Sequence, residues 1–306
     1  MSQKIAVYYE HPEWFSKMFA ELDRRGIAYD RLNAHTHRFD PTIRDNDYAL
    51  IVNRMSPSAH TRGGGHLFPY TMHYLHYLDD IGANVLHGYE TYRYEFSKAN
   101  QLTLLSKLGL NYPKARVIHS PADALKASEG LTYPVITKAN IGGSGAGIVE
   151  YESPEELAEA VAENTIDMGS DHTILIQEKL PARDDQIVRV EVLNGKLLYA
   201  IKVGLSGSFN LCPADYCLPN GSPAIQGYTP PQDIIDTVER ITKAANIEVG
   251  GVEYLINDRD GEPYYYDINA LSNFVADAEN VIGFDPFPRL VDFLLERAGI
   301  TEPELA

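Results

Sequence analysis

Cysteine is nearly absent from this chain of 306 residues, with Cys212 and Cys217 the only two. One pair excludes a disulfide framework and a complete structural zinc site, and reads as free thiols in a reducing compartment. Positive charge is scarce too: 26 Lys plus Arg face 43 Asp plus Glu, a formal net charge of −17. So acidic a surface repels a nucleic-acid backbone, which removes nucleic acid from the expected partners. It does not exclude a nucleotide, because a few local lysines and a metal ion suffice for one triphosphate. No apolar run reaches the roughly 18 residues of a membrane span, so no membrane partner is expected. No basic-then-apolar segment precedes the strand-like Ile5-Ala6-Val7-Tyr8, which predicts a cytoplasmic protein. Internal repeats and low-complexity tracts are missing as well. What remains, at 44% hydrophobic and 23% charged residues, is an ordinary globular balance spread over about two domains. The number of subunits stays open, a homo-oligomer included.

What is present is alternation. Short apolar runs at 5–9, 49–52 and 85–86 interleave with helical patterns at 13–25 and 66–81, predicting a parallel sheet with helices on its faces. A helix is expected over 91–108, ended by Gly109. The pattern then changes to strands at 116–118, 134–138, 147–151 and 173–178 with two helices among them. The second helix opens Ser153-Pro154-Glu155-Glu156, a capping serine, a proline at the first helical position and a carboxylate three residues after the cap. Asn194-Gly195 predicts a tight hairpin between strands 188–193 and 197–203. The stretch 205–231, rich in Gly, Pro, Ser and Asn, reads as a functional loop. A helix at 234–245, strands at 249–257 and 263–269, and a helix at 286–298 complete the chain. The fold class is α/β, divided at 1–90, 91–178 and 179–306.

Residues 142–147, Gly-Gly-Ser-Gly-Ala-Gly, hold four glycines in six positions. Without side chains, backbone N–H groups can approach phosphate oxygens. A dinucleotide loop and a Walker loop each run from strand into helix, and the Walker loop ends in Gly-Lys-Ser/Thr. Here strands flank both sides and Lys138 precedes the glycines, which makes a hairpin flap over phosphates. Protein kinases have such a flap, but no His-Arg-Asp or Asp-Phe-Gly follows. Taken alone, the loop fits a mobile surface turn equally.

Asp267-Ile268-Asn269 ends a strand, and alternation places Asp267 and Asn269 on one face. If Asn257 pairs with Pro263, Glu253 on the preceding strand lies opposite Asp267. Like charges facing each other destabilise a sheet, and a divalent cation removes the penalty. Two carboxylates and an amide oxygen, completed by water and phosphate oxygens, suit Mg²⁺, with Mn²⁺ as a substitute. The alternative is two carboxylates that face solvent independently.

In order, Lys98 opening Ser97-Lys98-Ala-Asn-Gln, Lys138 before the glycine flap, Gln177-Glu178-Lys179-Leu180, Glu253 and Asp267-Ile268-Asn269 resemble the ATP-grasp superfamily, and most closely its RimK-type and glutathione-synthetase-like ligases. The resemblance covers about residues 90–275. It implies a Rossmann-like domain followed by a two-lobed ATP-grasp fold of α+β subdomains, with 91–178 the lid subdomain. It implies an ATP- and Mg²⁺-dependent ligase that makes an acyl phosphate from a small-molecule carboxylate, an amino acid or small peptide, and passes the acyl group to an amine. By the same resemblance, Lys98, Lys138 and the backbone of Gly142, Gly143, Ser144 and Gly145 would hold phosphates, Lys138 nearest the adenine side. Gln177, Glu178, Lys179 and Leu180 would frame the adenine, and Asp185 the ribose. Arg189 and Lys202 would face the transferred phosphate and acyl group, and Glu253, Asp267 and Asn269 would hold the metal. Three departures stand out: Ala139 where relatives often have proline, a one-residue slip at Asp184-Asp185-Gln186, and Ala270-Leu271-Ser272-Asn273-Phe274 in place of Ser-Pro-Gly beside the acceptor site.

For substrate contacts the sequence offers Arg54 and Arg62 around a glycine-rich helix start, which is either a carboxylate pocket or a structural turn. Asn210, in the loop after Lys202, and Ser272 and Asn273 are further candidates. Two other functions fit the same fold: a small-molecule kinase and a non-catalytic nucleotide-binding regulator. A plain metabolite-binding α/β protein leaves the acidic strand pair unexplained.

Overall fold

The computed structural model describes residues 4–11, 13–143, 145, 147–205 and 224–302. The candidates Ser144 and Asn210, both cysteines and most of the 205–231 loop lie outside the described residues.

β1 (Ile5–Tyr9), α1 (Ser16–Arg24), β2 (Tyr29–Asn33), β3 (Leu50–Arg54), α2 (Leu67–Asp80) and β4 (Val85–Leu86) come first. Their strands form a parallel sheet in the order β2-β1-β3-β4. Ile5, Val7, Leu50 and Val52 pack against Met18, Phe19 and Leu22 of α1. Ala6, Tyr8 and Ile51 pack against Leu67, Phe68 and Leu75 of α2. Both faces are covered, and for that reason β1 and β3 read as continuous apolar runs. β2 was not expected from the sequence. Its Tyr29-Asp30-Arg31-Leu32-Asn33 is a half-exposed edge strand without an apolar signature.

The expected helix over 91–108 is two helices, α3 (Tyr89–Glu95) and α4 (Lys98–Lys107). They break at Ser97, whose backbone is extended and whose side chain accepts the Asn100 N–H, a serine cap that starts α4 afresh. β5 (Ala115–Ile118), α5 (Ala124–Ser128), β6 (Val135–Ala139), β7 (Val149–Tyr151), α6 (Pro154–Ala162) and β8 (Ile174–Glu178) follow. These strands make an antiparallel sheet, β5-β8-β6-β7. At the start of α6, Ser153 accepts the Glu156 N–H at 3.3 Å and the Glu156 carboxylate accepts the Glu152 N–H at 2.8 Å.

The last sheet is β11-β10-β9-β12-β13, built from β9 (Gln186–Leu193), β10 (Lys196–Gly204), β11 (Ile225–Tyr228), α7 (Gln232–Ala244), β12 (Val249–Ile256) and β13 (Pro263–Asn269). Asn194 and Gly195 have φ of 52° and 65°, the left-handed pair that a tight hairpin between β9 and β10 requires. One face, Val188, Val190, Val192, Val252 and Ile268, packs on Ile234, Val238 and Ile241 of α7. The other face is turned to a cleft. α8 (Ala278–Ile282) and α9 (Phe287–Ala298) end the described chain, and α9 lies against α1 beside the first sheet.

β13 is an edge strand, and several outward backbone groups along it and just after it are met from α3, α4 and the segment after them. Gln101 accepts the Ile268 N–H at 3.1 Å and donates to its carbonyl at 2.8 Å. The Ala270 N–H bonds the Glu95 carboxylate, and the Tyr265 N–H bonds the Asn111 carbonyl at 3.0 Å. An uncovered edge would invite another strand. The same contacts fix Lys98, at the head of α4, beside Asp267.

Candidate nucleotide and metal cleft

The expected pairing of Glu253 with Asp267 is present. Its stated premise is not: Pro263 pairs with Ile256, one residue short of Asn257, and Tyr254 pairs with Tyr265. An extra residue, Tyr266, lies between Tyr265 and Asp267. This bulge restores the register and turns two consecutive side chains, Tyr266 and Asp267, into the cleft.

Around that pair the charges are dense and buried. Lys98 Nζ donates to Asp267 Oδ1 at 2.5 Å, and Arg189 Nη1 to Glu253 Oε1 at 2.9 Å. Asn269 Nδ2 lies 3.2 Å from Asp267 Oδ2. Burial, then repulsion from Asp267, raises the Glu253 carboxyl above the ordinary range. Burial would raise Asp267 as well, but Lys98 and Lys138 outweigh it and hold that carboxyl well below the usual range. Lys138 is also shifted down, which for a lysine disfavours the charged form: burial and the neighbouring Lys98 push its ammonium down to about 8. Its Nζ stands 5.7 Å from the centre of the Tyr266 ring, and it makes no ion pair with any described residue. A buried cation without a direct ion-pair partner is costly, and an anionic ligand in contact with it would relieve that.

The glycine segment is a hairpin loop, as expected, with β6 and β7 paired on either side. Asn140 ties its base to α4, its side-chain oxygen accepting the Ala99 N–H at 3.0 Å and the Ser97 hydroxyl at 3.1 Å. Gly142, Gly143 and Gly145 border the same cleft as Glu253 and Asp267. A Cβ on Gly143 would stand 3.1 Å from the Ser58 Cβ, so the loop lies directly against the turn of residues 57–62.

Gln177, Glu178, Lys179 and Leu180 form the far wall of the cleft. The Glu178 carboxylate accepts the Thr132 N–H at 2.9 Å, and Lys179 Nζ bonds both Glu150 oxygens at 2.6 and 2.7 Å. These side chains are engaged within the wall, which leaves main-chain edges and the apolar Ile136, Ile148 and Leu255 toward a flat ring.

Several expected residues lie elsewhere. Lys202 was expected to face the transferred phosphate beside Arg189. Arg189 pairs with Ile201, however, and Lys202 pairs with Val188. Cross-strand partners share a face, so Lys202 is on the α7 side, 4.7 Å from the Tyr228 ring centre. Asp185 is exposed in the turn before β9, outside the cleft wall. Arg62 is held by Glu10 at 2.6 and 3.0 Å and faces the Trp14 ring. Arg54 is buried behind the wall, donating to the Ser272 carbonyl at 2.5 Å and to Asn273 Oδ1 at 3.0 Å. Of this group only Asn273 borders the cleft among the described residues.

Other wall residues were missed. Glu191 follows Arg189 by two, so strand alternation alone places both on one face. Tyr266 was hidden by the bulge. Glu95, Ser58 and Trp14 arrive from separate elements and carry no local signal. Burial raises the Glu95 carboxyl to about 7, partly offset by the Ala270 N–H.

A glycine hairpin closing on a strand pair that carries facing carboxylates is the geometry the sequence pattern called for. The sequence profile of the RimK-like ATP-grasp domain matches residues 96–293. The chain belongs to that family. D-alanine–D-alanine ligase B of Pseudomonas putida is 27% identical over 169 residues, 53% of this chain and 50% of the relative; the chain thus matches only about half of that relative's length. Among solved structures, the ATP-grasp ligase PsnB complexed with a phosphomimetic variant of its minimal precursor, Mg and ADP superposes with a TM-score of 0.70 at 16% identity, over 97% of this chain and 99% of that one. A RimK domain ATP-grasp protein from Sphaerobacter thermophilus gives 0.67 at 19% identity, over 95% and 98%. At these identities the ATP-grasp family member shares a fold with them. Among the described residues, no helix is long and apolar enough to cross a membrane.

Proposed function

We propose that this ATP-grasp protein is an ADP-forming carbon–nitrogen ligase that phosphorylates a substrate carboxylate with ATP and passes the acyl group to an amine, releasing ADP and phosphate. The carrying observation is the Glu253–Asp267 pair with Lys98, Lys138 and Arg189 beneath a glycine hairpin, all in one cleft. The reading is supported by similarity to a D-alanine–D-alanine ligase and, in fold, to an ATP-grasp ligase complexed with a precursor peptide. An amino acid or small peptide is the substrate class proposed here, with residues 91–178 acting as the lid.

The donor set fits Mg²⁺: two carboxylates and an amide oxygen, with positions left for water and phosphate oxygens. Among the described residues, no group of three His, Cys, Asp or Glu could hold an ion alone, so water and phosphate oxygens would have to complete the shell. When bound, Mg²⁺ neutralises charge building on the phosphates. Lys98 and Arg189, which compensate Asp267 and Glu253 in the free protein, are then available to phosphate and to the developing acyl oxyanion. Lys138 gains a direct anionic partner. The main-chain edges at Glu178–Leu180 orient the adenine. The hairpin, resting on Ser58, excludes water that would hydrolyse the acyl phosphate.

A screen of carboxylate and amine pairs with Mg-ATP tests the reading. Phosphate release that requires both partners is expected. Hydroxylamine trapping of the carboxylate alone separates acyl-phosphate chemistry from an ester-forming kinase, and nucleotide binding without any turnover would favour a regulator.

A further inference from the structure

Arg189 is clamped on the cleft floor by two carboxylates, since its Nε donates to Glu191 Oε1 at 2.5 Å and its Nη1 to Glu253 Oε1 at 2.9 Å. Glu191 pairs with Gly251 on one side and Tyr199 on the other. A Cβ on Gly251 would stand 2.9 Å from Glu191 Oε1 and 3.0 Å from Arg189 Nε, so the ion pair lies across a bare stretch of backbone. Glu191 is 1% exposed, yet it borders the cleft. Orienting Arg189 uses only Oε1. The second oxygen, Oε2, is buried without a hydrogen-bond partner, a state that folded proteins rarely leave uncompensated. Behind the same end of the cleft, Arg54 braces Asn273 and has an unpartnered Nε of its own.

We propose that Glu191 is the recognition group for a protonated primary amine of a substrate, next to the carboxyl group that reacts at Arg189. This inference rests on the ligase reading above. Arg189 shares its single positive charge between Glu191 and Glu253, so a charged donor matches the free oxygen best, where a neutral amide would leave the two carboxylates short of one counter-charge. The two side chains converge, with Arg189 Nε and Glu191 Oε1 2.5 Å apart, so an ammonium at Glu191 and an acyl group at Arg189 lie close together, as in an α- or β-amino acid, or as an acyl group and an amine that gives up its proton before attacking it. The ammonium therefore belongs either to the carboxylate donor or to the acceptor.

Hydroxamate trapping with L-alanine, β-alanine and L-glutamate against propionate and glutarate tests this, in the wild type and in Glu191→Gln. Glutamine retains an oxygen for Arg189 Nε but loses the charge. If the donor carries the amine, the ratio of amine-bearing to des-amino trapping falls by about tenfold or more in the variant. If the acceptor carries it, that ratio holds while the apparent affinity for an amine acceptor in amide formation falls by a similar factor. Equal losses with every substrate, or no loss, would overturn the proposal and leave Glu191 only a brace for Arg189. If no carboxylate is trapped at all, the ligase reading fails instead. The subsite is then read through the fluorescence of Trp14, the chain's single tryptophan and part of the cleft wall. Quenching by amine-bearing probes that is lost in Glu191→Gln supports the subsite, and equal quenching by propionate, or none, overturns it. Should Glu191→Gln not fold, Glu191→Asp keeps the charge but draws it back by one carbon, and a smaller fall in the same ratio is expected.

Discussion

Gly251→Ala perturbs the cleft floor without replacing a charged group. Gly251 has no left-handed backbone to protect, and the nearest neighbours of an added methyl are Glu191 Oε1 at 2.9 Å and Arg189 Nε and Nη2, both at 3.0 Å. Those are side-chain ends, so the methyl is accommodated by pushing the ion pair a few tenths of an ångström off the strand. Displacements approaching 1 Å at a reacting centre cost about 10²-fold, and a loss of roughly 10-fold in turnover is expected here. Stability moves the other way or not at all, because replacing glycine at a tolerant position gains about 0.4–1 kcal/mol from the unfolded chain. Gly250→Ala, one residue earlier, is the control. Its methyl would meet the Asn269 carbonyl at 2.3 Å, backbone that cannot yield without parting β12 from β13, and a loss of about 3 kcal/mol or more is expected. Thermal melts and steady-state phosphate release on both variants decide the matter. A Gly251→Ala protein with wild-type turnover would refute the claim that Arg189 works from its present position.

Asp267→Asn removes a proposed metal ligand and leaves Lys98 buried beside a neutral amide. ADP formation should fall by about 10²- to 10³-fold and stability by about 3 kcal/mol, as read by coupled assay and urea titration; near-normal activity would count against the metal assignment. Lys202→Ala, on the α7 face, should retain turnover within about 3-fold, whereas Arg189→Ala should lose about 10²-fold or more. Equal losses would contradict the placement of Lys202. For Lys138, held down to about 8, phosphate binding favours the ammonium. The ATP dissociation constant should therefore rise with pH above about 8, by up to about tenfold per unit, and stay flat below it. The same shift makes this lysine's contribution to stability increase with pH between its lowered value and its ordinary one, since the unfolded chain there holds the extra proton. Calorimetry from pH 6 to 10 reads the affinity, and Lys138→Met should erase the inflection.

β1 and β3 of the parallel sheet were legible because burial on both faces makes β1 and the first three residues of β3 apolar, and the hairpin because Asn-Gly admits few turns. β2 was not legible, since an edge strand half in water needs no apolar face. The helix break at Ser97 lay in plain view as a capping serine, yet amphipathic periodicity continued across it. The metal pair was anticipated from a register that is off by one, and the bulge at Tyr266 corrected the error. No local pattern announces such a bulge, because its cause is the need to turn Asp267 into the cleft. Lys202 failed for a related reason: in an antiparallel hairpin, membership of neighbouring strands does not fix a shared face, and the pairing of Arg189 with Ile201 rather than Lys202 decides it. Glu191 was readable from alternation alone and was passed over.

The most direct test of the central claim follows oxygen. With a carboxylate substrate labelled with ¹⁸O in both oxygens, turnover with Mg-ATP and amine should place one labelled oxygen in the released phosphate, because the acyl phosphate shares that atom and cleaves at the carbonyl carbon. Phosphate carrying none of the label, alongside normal amide formation, would contradict the account.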